Sequence, residues 1–229
     1  MEKDNQTKNV YIVLTKTETI AAKSIRFRAG VADFFLRDGK DRVHTLGYKY
    51  SHASLSRDKS LSGKQMMSFS REDVNRVFSP CLQYEDIHDG MFAHYKDKTE
   101  IVVAEVNVSN YQYQSISDRM DSDYERRDEF SFNYFGLFAH LLKGKGASLD
   151  KDKFFCSQWV ADVLRSSGVE LFEGKETYDT KPNDFYVRLK NNIIYEGPLA
   201  EYPPYKANNQ EELMSSKKYV YTENRRLAK

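Results

Sequence analysis

The run Glu100-Ile-Val-Val-Ala-Glu-Val-Asn-Val108 constrains this chain more than any other segment. Its β-branched side chains favour an extended, pleated backbone, and it is the strongest strand in the sequence. Val10-Tyr-Ile-Val-Leu14 is a second such run and reads as a buried strand. Tyr50-Ser-His-Ala-Ser-Leu-Ser56 alternates, with Tyr50, His52 and Ser54 on one face and Ser51, Ala53 and Leu55 on the other. A turn-rich stretch from Asp58 to Gly63 leads into Gln65-Met-Met-Ser-Phe-Ser70, the returning strand of a hairpin.

Helical patterns lie between and after these strands. Ile20, Ala21 and Ile25 predict a helix over Thr15–Phe27. Ser109 offers an N-cap for a charged helix running to about Arg127. Phe132–Leu142 is aromatic and aliphatic, and is ended by Lys143-Gly-Lys-Gly146. Cys156–Ser167 places Trp159, Val160, Val163 and Leu164 on one face, with Gly168 where a helix stops. Pro182–Leu189 reads as one more helix. Residues 28–49 carry Gly30, Gly39 and Gly47 and read as a loop or insertion; residues 71–98 carry no clear period. There are no repeats and no linker. The expected architecture is a single α+β domain over 10–205, an antiparallel sheet packed against the Cys156 helix. Residues 1–9 form a disordered N-terminus and 206–229 a polar C-terminal tail.

Charge narrows the partners. Lysine and arginine number 35 against 34 acids, a net charge of +1, which gives no electrostatic case for nucleic acid or an anionic membrane surface. No run approaches the ~20 apolar residues of a membrane span, so no integral membrane association is expected. The first nine residues are polar, without the apolar core of a signal peptide, and there are 2 cysteines, Cys81 and Cys156. The expectation is a cytoplasmic protein with reduced thiols.

The chemistry centres on Phe154-Phe-Cys-Ser-Gln-Trp-Val160. Cys156 opens an amphipathic helix, where unpaired backbone N–H groups and the helix dipole favour a thiolate. The same N–H groups can hold an oxyanion that develops during acyl transfer. A cysteine there also fits as a small buried apolar residue. What distinguishes the two is a base, and His52, fixed on one face of a strand, is the candidate.

These residues resemble the circularly permuted NlpC-type papain-like cysteine peptidases, the YiiX-like group related to lecithin retinol acyltransferase. Tyr50-Ser-His-Ala-Ser-Leu55 is similar to the family's histidine strand, and Phe155-Cys-Ser-Gln-Trp-Val160 to its nucleophile helix. Tyr11-Ile-Val-Leu-Thr15 resembles the opening strand, and Asn133-Tyr-Phe-Gly-Leu137 the helix before the nucleophile. Lys181-Pro-Asn-Asp-Phe-Tyr186 resembles the closing segment. The order here, histidine before cysteine, agrees with the permutation. The resemblance implies a thiol hydrolase cleaving an amide or ester through a covalent acyl-enzyme, with Cys156 as nucleophile and His52 as base. It implies no cofactor and no metal, and a small amide, peptide or acyl substrate. The same fold also serves non-catalytic binding modules and lipid acyltransferases. Relatives carry a polar group on the strand after the histidine to orient the imidazole; here Ser68 is the best match, with Gln65 and Ser70 behind it.

Other candidates are weaker. His88 and His94, with Glu85, Asp86 and Asp89 nearby, match no helical ligand spacing for a metal. His44 stands beside Gly47 in an expected loop, and His140 lies in the aromatic helix. Arg119, Arg126 and Arg127 alternate with acids and read as a solvated helix face. Lys143, Lys145, Lys151 and Lys153 fit loop solvation as well as attraction of an anionic substrate.

Overall fold

The computed structural model describes residues 7–17, 49–71, 80–133 and 153–206. Its centre is a six-stranded antiparallel sheet in the order β4-β3-β2-β1-β5-β8. The strands are β1 (Thr7–Thr17), β2 (His52–Ser56), β3 (Met66–Arg71), β4 (Pro80–Glu85), β5 (Thr99–Ser109) and β8 (Ile193–Pro198). Two short segments, β6 (Ser131–Phe132) and β7 (Lys153–Phe154), pair in parallel beside it. The helices are α1 (Gly90–His94), α2 (Asn110–Glu125), α3 (Cys156–Ser166) and α4 (Pro182–Arg188). None is long and apolar enough to cross a membrane among the described residues. The chain therefore has the expected α+β class.

The two apolar runs lie side by side. β1 and β5 pair from Thr7–Ser109 to Thr17–Thr99, with Lys16 and Glu100 as a cross-strand ion pair at 3.1 Å. Their near-continuous hydrophobicity has a reason, because the sheet is covered on both faces. One face carries Ile12, Leu14, Ala53, Leu55, Met67, Phe69 and Val102 against Ile116 and Met120 of α2 and Trp159, Val160 and Val163 of α3. The other carries Tyr11, Val13, Met66, Ile101 and Val103 under Ile87, Phe92, Leu199, Tyr202 and Tyr205. The segment after β8 thus covers the second face, and the Tyr202 hydroxyl donates to the Lys59 carbonyl at 2.5 Å.

Local chemistry explains the ends. Ser109 caps α2 with a capping box: its hydroxyl accepts from Gln112 N–H, and the Gln112 side chain accepts from Ser109 N–H. After α3 the chain turns at Gly168, whose φ of 76° suits glycine, and Val169 N–H donates to the Leu164 carbonyl at 2.9 Å. α2 and α3 are joined through Asp123, which is fully buried. It accepts from Trp159 Nε1 at 2.9 Å and Arg119 Nε at 2.8 Å, while Arg119 also reaches Asp162.

Several expectations change. β1 continues through Thr17, so no helix begins at Thr15; Thr15 and Thr17 are β-branched and still pair with Ile101 and Thr99. Tyr50 lies ahead of β2, and its ring joins the core that holds Ala53 and Leu55, so strand alternation does not extend back to it. Phe132 belongs to β6. Residues 71–98 contain β4 and α1. The rest of the helix expected over 15–27, the loop over 28–48 and the helix over 134–142 lie outside the described residues, as do His44, His140, Lys143, Lys145 and Lys151.

Candidate active site

His52 is the first residue of β2, and the segment entering it is held from three sides. Ser51 N–H donates to the Thr15 carbonyl at 2.9 Å, and Lys49 N–H donates to Asn183 Oδ1 at 3.2 Å. The Lys49 ammonium pairs with Glu196, which also accepts from the Tyr50 hydroxyl at 3.1 Å. β1, α4 and β8 therefore all fix the point at which the histidine enters the sheet.

Cys156 is the first residue of α3, with Phe155 at the N-cap in an extended conformation. Phe154 and Phe155 are buried, and the Ser157 hydroxyl donates to the Thr180 carbonyl at 2.7 Å. This bond ties the start of α3 to the loop before α4, which is itself stabilised by Asp184 accepting from Lys181 N–H. α3 packs on β2 and β3, which brings the thiol to the histidine. The structure thus brings together two residues 104 positions apart: the His52 ring and the Cys156 thiol lie close enough for each to shift the other's acidity.

The third partner is a carboxylate. His52 Nε2 lies 2.9 Å from Glu85 Oε1, and the Ser54 hydroxyl donates to Glu85 Oε2 at 2.5 Å. Ser54 Oγ also sits 3.1 Å from Nε2, placed to accept from it while donating to the carboxylate. Ser70 lies near enough to help lower the Glu85 carboxyl, and its hydroxyl accepts from Gln83 Nε2 at 2.7 Å. With Nε2 directed at Glu85, Nδ1 is left for the thiol. The His52 side chain keeps 19% of its surface exposed while Glu85 keeps 6%, so a substrate can reach the imidazole but not the carboxylate.

Ser68 does not orient the ring. It is fully buried, and its hydroxyl donates to the Ala53 carbonyl at 2.6 Å. Of its two fallbacks, the Ser70 hydroxyl is engaged by Gln83 Nε2, and Gln65 accepts from Arg57 N–H through its carbonyl at the β2–β3 turn. Glu85 was missed because it ends a strand whose pattern Pro80 and Cys81 obscure. The period-two alternation of Leu82 and Tyr84 with Gln83 and Glu85 was the available signal: Leu82 is in the apolar core with Tyr84 packed against it.

The charges follow from these contacts. Burial alone would push the His52 imidazole down, but the Glu85 charge and the hydrogen bonds from Cys156 and Glu85 raise it well above its usual value. Burial would raise the Glu85 carboxyl; the His52 charge and the bonds from His52, Ser54 and Ser70 lower it instead. The Cys156 thiol is likewise pushed up by burial, and pulled lower overall by His52 and the backbone N–H groups of Ala53 and Ser157. All three directions favour a thiolate, an imidazolium and a carboxylate in line.

The remaining candidates are engaged elsewhere. Asp86 accepts from the backbone N–H groups of His88 and Gly63, Asp89 caps α1, His88 stacks on Tyr205, and His94 meets the edge of Tyr95. Among the described residues no three His, Cys, Asp or Glu side chains converge as metal ligands. Arg119 and Arg126 lie beside Asp123, so Arg119 is a joint between helices and not only a solvated face. Arg127 lies over the Tyr124 ring, and Lys153 is exposed on β7. A cavity of about 260 Å³ is lined in part by Ser70, Arg71, Gln83, Glu85 and Asp86; neither His52 nor Cys156 lines it. Comparison with protein-family models, with curated proteins and with solved structures gives no match for this chain.

Proposed function

We propose that this protein is a thiol hydrolase of the permuted papain-like type, cleaving an amide or ester through a covalent acyl-enzyme. The observation that carries the reading is the His52 ring, held between the Cys156 side chain and the Glu85 carboxylate, with the thiol on the first turn of a helix. A buried structural cysteine has no need of an imidazole whose other nitrogen is fixed by a buried carboxylate. The order of histidine before cysteine, and a nucleophile helix packed on an antiparallel sheet, support the permuted arrangement.

In this mechanism the thiolate attacks the substrate carbonyl and a C–S bond forms. The oxyanion that develops lies near the N-terminus of α3, whose first N–H groups lack intrahelical partners. The His52 imidazolium then gives its proton to the leaving amine or alkoxide as that bond breaks, leaving a thioester. A water loses its proton to His52 and attacks the thioester, and the C–S bond breaks to release the acid. Glu85 keeps Nδ1 facing the sulfur and stabilises the charged ring throughout. The substrates that fit this chemistry are a peptide, an isopeptide conjugate or a small amide or ester.

An activated acetyl ester, p-nitrophenyl acetate, tests the reading. The expected result is a burst of nitrophenolate with an acetyl adduct mapped to Cys156 by mass spectrometry. The burst disappears in Cys156→Ser and slows on the order of 100-fold in His52→Ala. Adducts spread equally over Cys156 and Cys81, or no adduct in folded protein, would leave a binding module as the better account.

A further inference from the structure

The ladder between β2 and β3 stops before it reaches His52. From the Arg57 N–H to Gln65 carbonyl bond at the turn it runs through Ser56–Met66 and Leu55–Met67, and it goes no further toward His52, although both strands continue. Beyond Leu55 the place of a ladder bond is taken by a side chain, the Ser68 hydroxyl donating to the Ala53 carbonyl at 2.6 Å. In an extended strand the N–H and C=O of one residue point to the same side. The Ala53 N–H therefore faces the same gap, on the side where α3 packs on β2 and β3 with Cys156 as its first residue, and this N–H helps to lower the thiol.

We propose that Ser68 is a positioning residue for the nucleophile, holding β2 and β3 apart so that the Ala53 main-chain N–H is reserved for the Cys156 sulfur. This rests on the reading of Cys156 as the nucleophile. The physical logic is a matter of satisfied groups. A buried carbonyl must find a donor, and without Ser68 the nearest donors are the β3 backbone N–H groups. Closing the ladder to supply one would spend the Ala53 N–H on β3 as well. A serine is suited to the task because its hydroxyl is a single short donor on a residue that still fits the strand. Ser68 has no surface exposure, so water cannot substitute for it. The Ala53 N–H and the Ser157 N–H then approach the sulfur from the sheet and from the helix, two main-chain donors whose direction no side-chain rotation can change.

The test is the rate of iodoacetamide modification of Cys156 as a function of pH, by peptide mass mapping, in wild type, Ser68→Ala and Ser68→Thr. In wild type the midpoint is expected below the ordinary thiol value of about 8.5. In Ser68→Ala the midpoint moves up, and the rate near pH 6.5 falls roughly three- to tenfold relative to the rate at high pH. Ser68→Thr keeps the hydroxyl and stays close to wild type. A low wild-type midpoint that Ser68→Ala leaves unchanged overturns the role of Ser68 alone. A wild-type midpoint at the ordinary value overturns the nucleophile reading beneath it. If the variants do not fold, the Ala53 amide resonance of the wild-type protein decides. It should shift with pH through the Cys156 midpoint and stay flat in Cys156→Ser; a flat response in wild type overturns the proposal.

Discussion

Glu85 Oε1 lies 2.9 Å from His52 Nε2, although β4 and β2 are separated in the sheet by β3. The contact spans an intervening strand, whose Ser70 also helps to lower the Glu85 carboxyl. A carboxylate here differs from a neutral group in one decisive way. It stabilises the imidazolium by charge and not only by direction.

Replacing Glu85 with Gln separates those two roles. The amide preserves size and can still accept from Nε2, but the charge that raises His52 is gone. The alkaline limb of the acylation rate, where His52 loses its proton, should then move toward neutral pH. The acid limb, set by Cys156, should move up because its imidazolium partner is weakened. The working range narrows from both sides, and the rate at its maximum falls roughly tenfold or more. Nitrophenyl ester acylation across pH measures this; an unchanged profile would show that the carboxylate charge has no part in it.

Glu85 also links folding to acidity. Its carboxyl is lowered in the folded protein, so the stability it contributes is present above the ordinary carboxylate value of about 4.3 and is lost as pH falls through the folded value. His52 has the opposite sign: being raised, it contributes fully below about 6.5 and loses that contribution as pH rises through its folded value. Thermal unfolding should therefore show a steeper loss of Tm below about pH 4 in wild type than in Glu85→Gln. Parallel curves for the two proteins would contradict the assignment.

The joint between α2 and α3 predicts a stability effect remote from the thiol. Asp123→Ala removes the acceptor of the Trp159 indole N–H, inside a core where Trp159 has no exposure, and leaves Arg119 with Asp162 as its carboxylate partner. The loss is expected at about 2–4 kcal/mol, since a buried donor and an ion-pair partner are both abandoned. Urea denaturation measures it, and a loss below about 1 kcal/mol would mean that solvent satisfies these groups.

Much of this fold was legible in the chain. β1 and β5 announce themselves because they are buried on both faces, and α2 and α3 because Ser109 and Gly168 mark their ends. β8 was not legible: Ile193-Ile-Tyr-Glu-Gly-Pro198 is an edge strand, and Gly197 and Pro198 give it the composition of a turn. His52 and Cys156 were legible through the resemblance of their local motifs. Glu85 was not, because what makes it a partner is the lateral stacking of three strands, and no local pattern records which strand lies beside which. Ser68 was noticed for its place after the histidine strand, but its actual contact, with the Ala53 backbone, depends on where the β2–β3 ladder stops.

The central ladder has a consequence for how the molecule comes into being. Its innermost pair, Thr17 and Thr99, lies 82 positions apart, so β1 cannot find β5 until a long loop has closed. Topologies of this kind fold slowly, because the entropy of closure is spent before the contacts are made. Cys156 meets the imidazole only when α3 docks on β2 and β3, a contact between segments as far apart in the chain. The lowering of the Cys156 thiol by His52 thus waits on that docking, and its appearance during refolding is a clock for the arrival of α3 on the sheet.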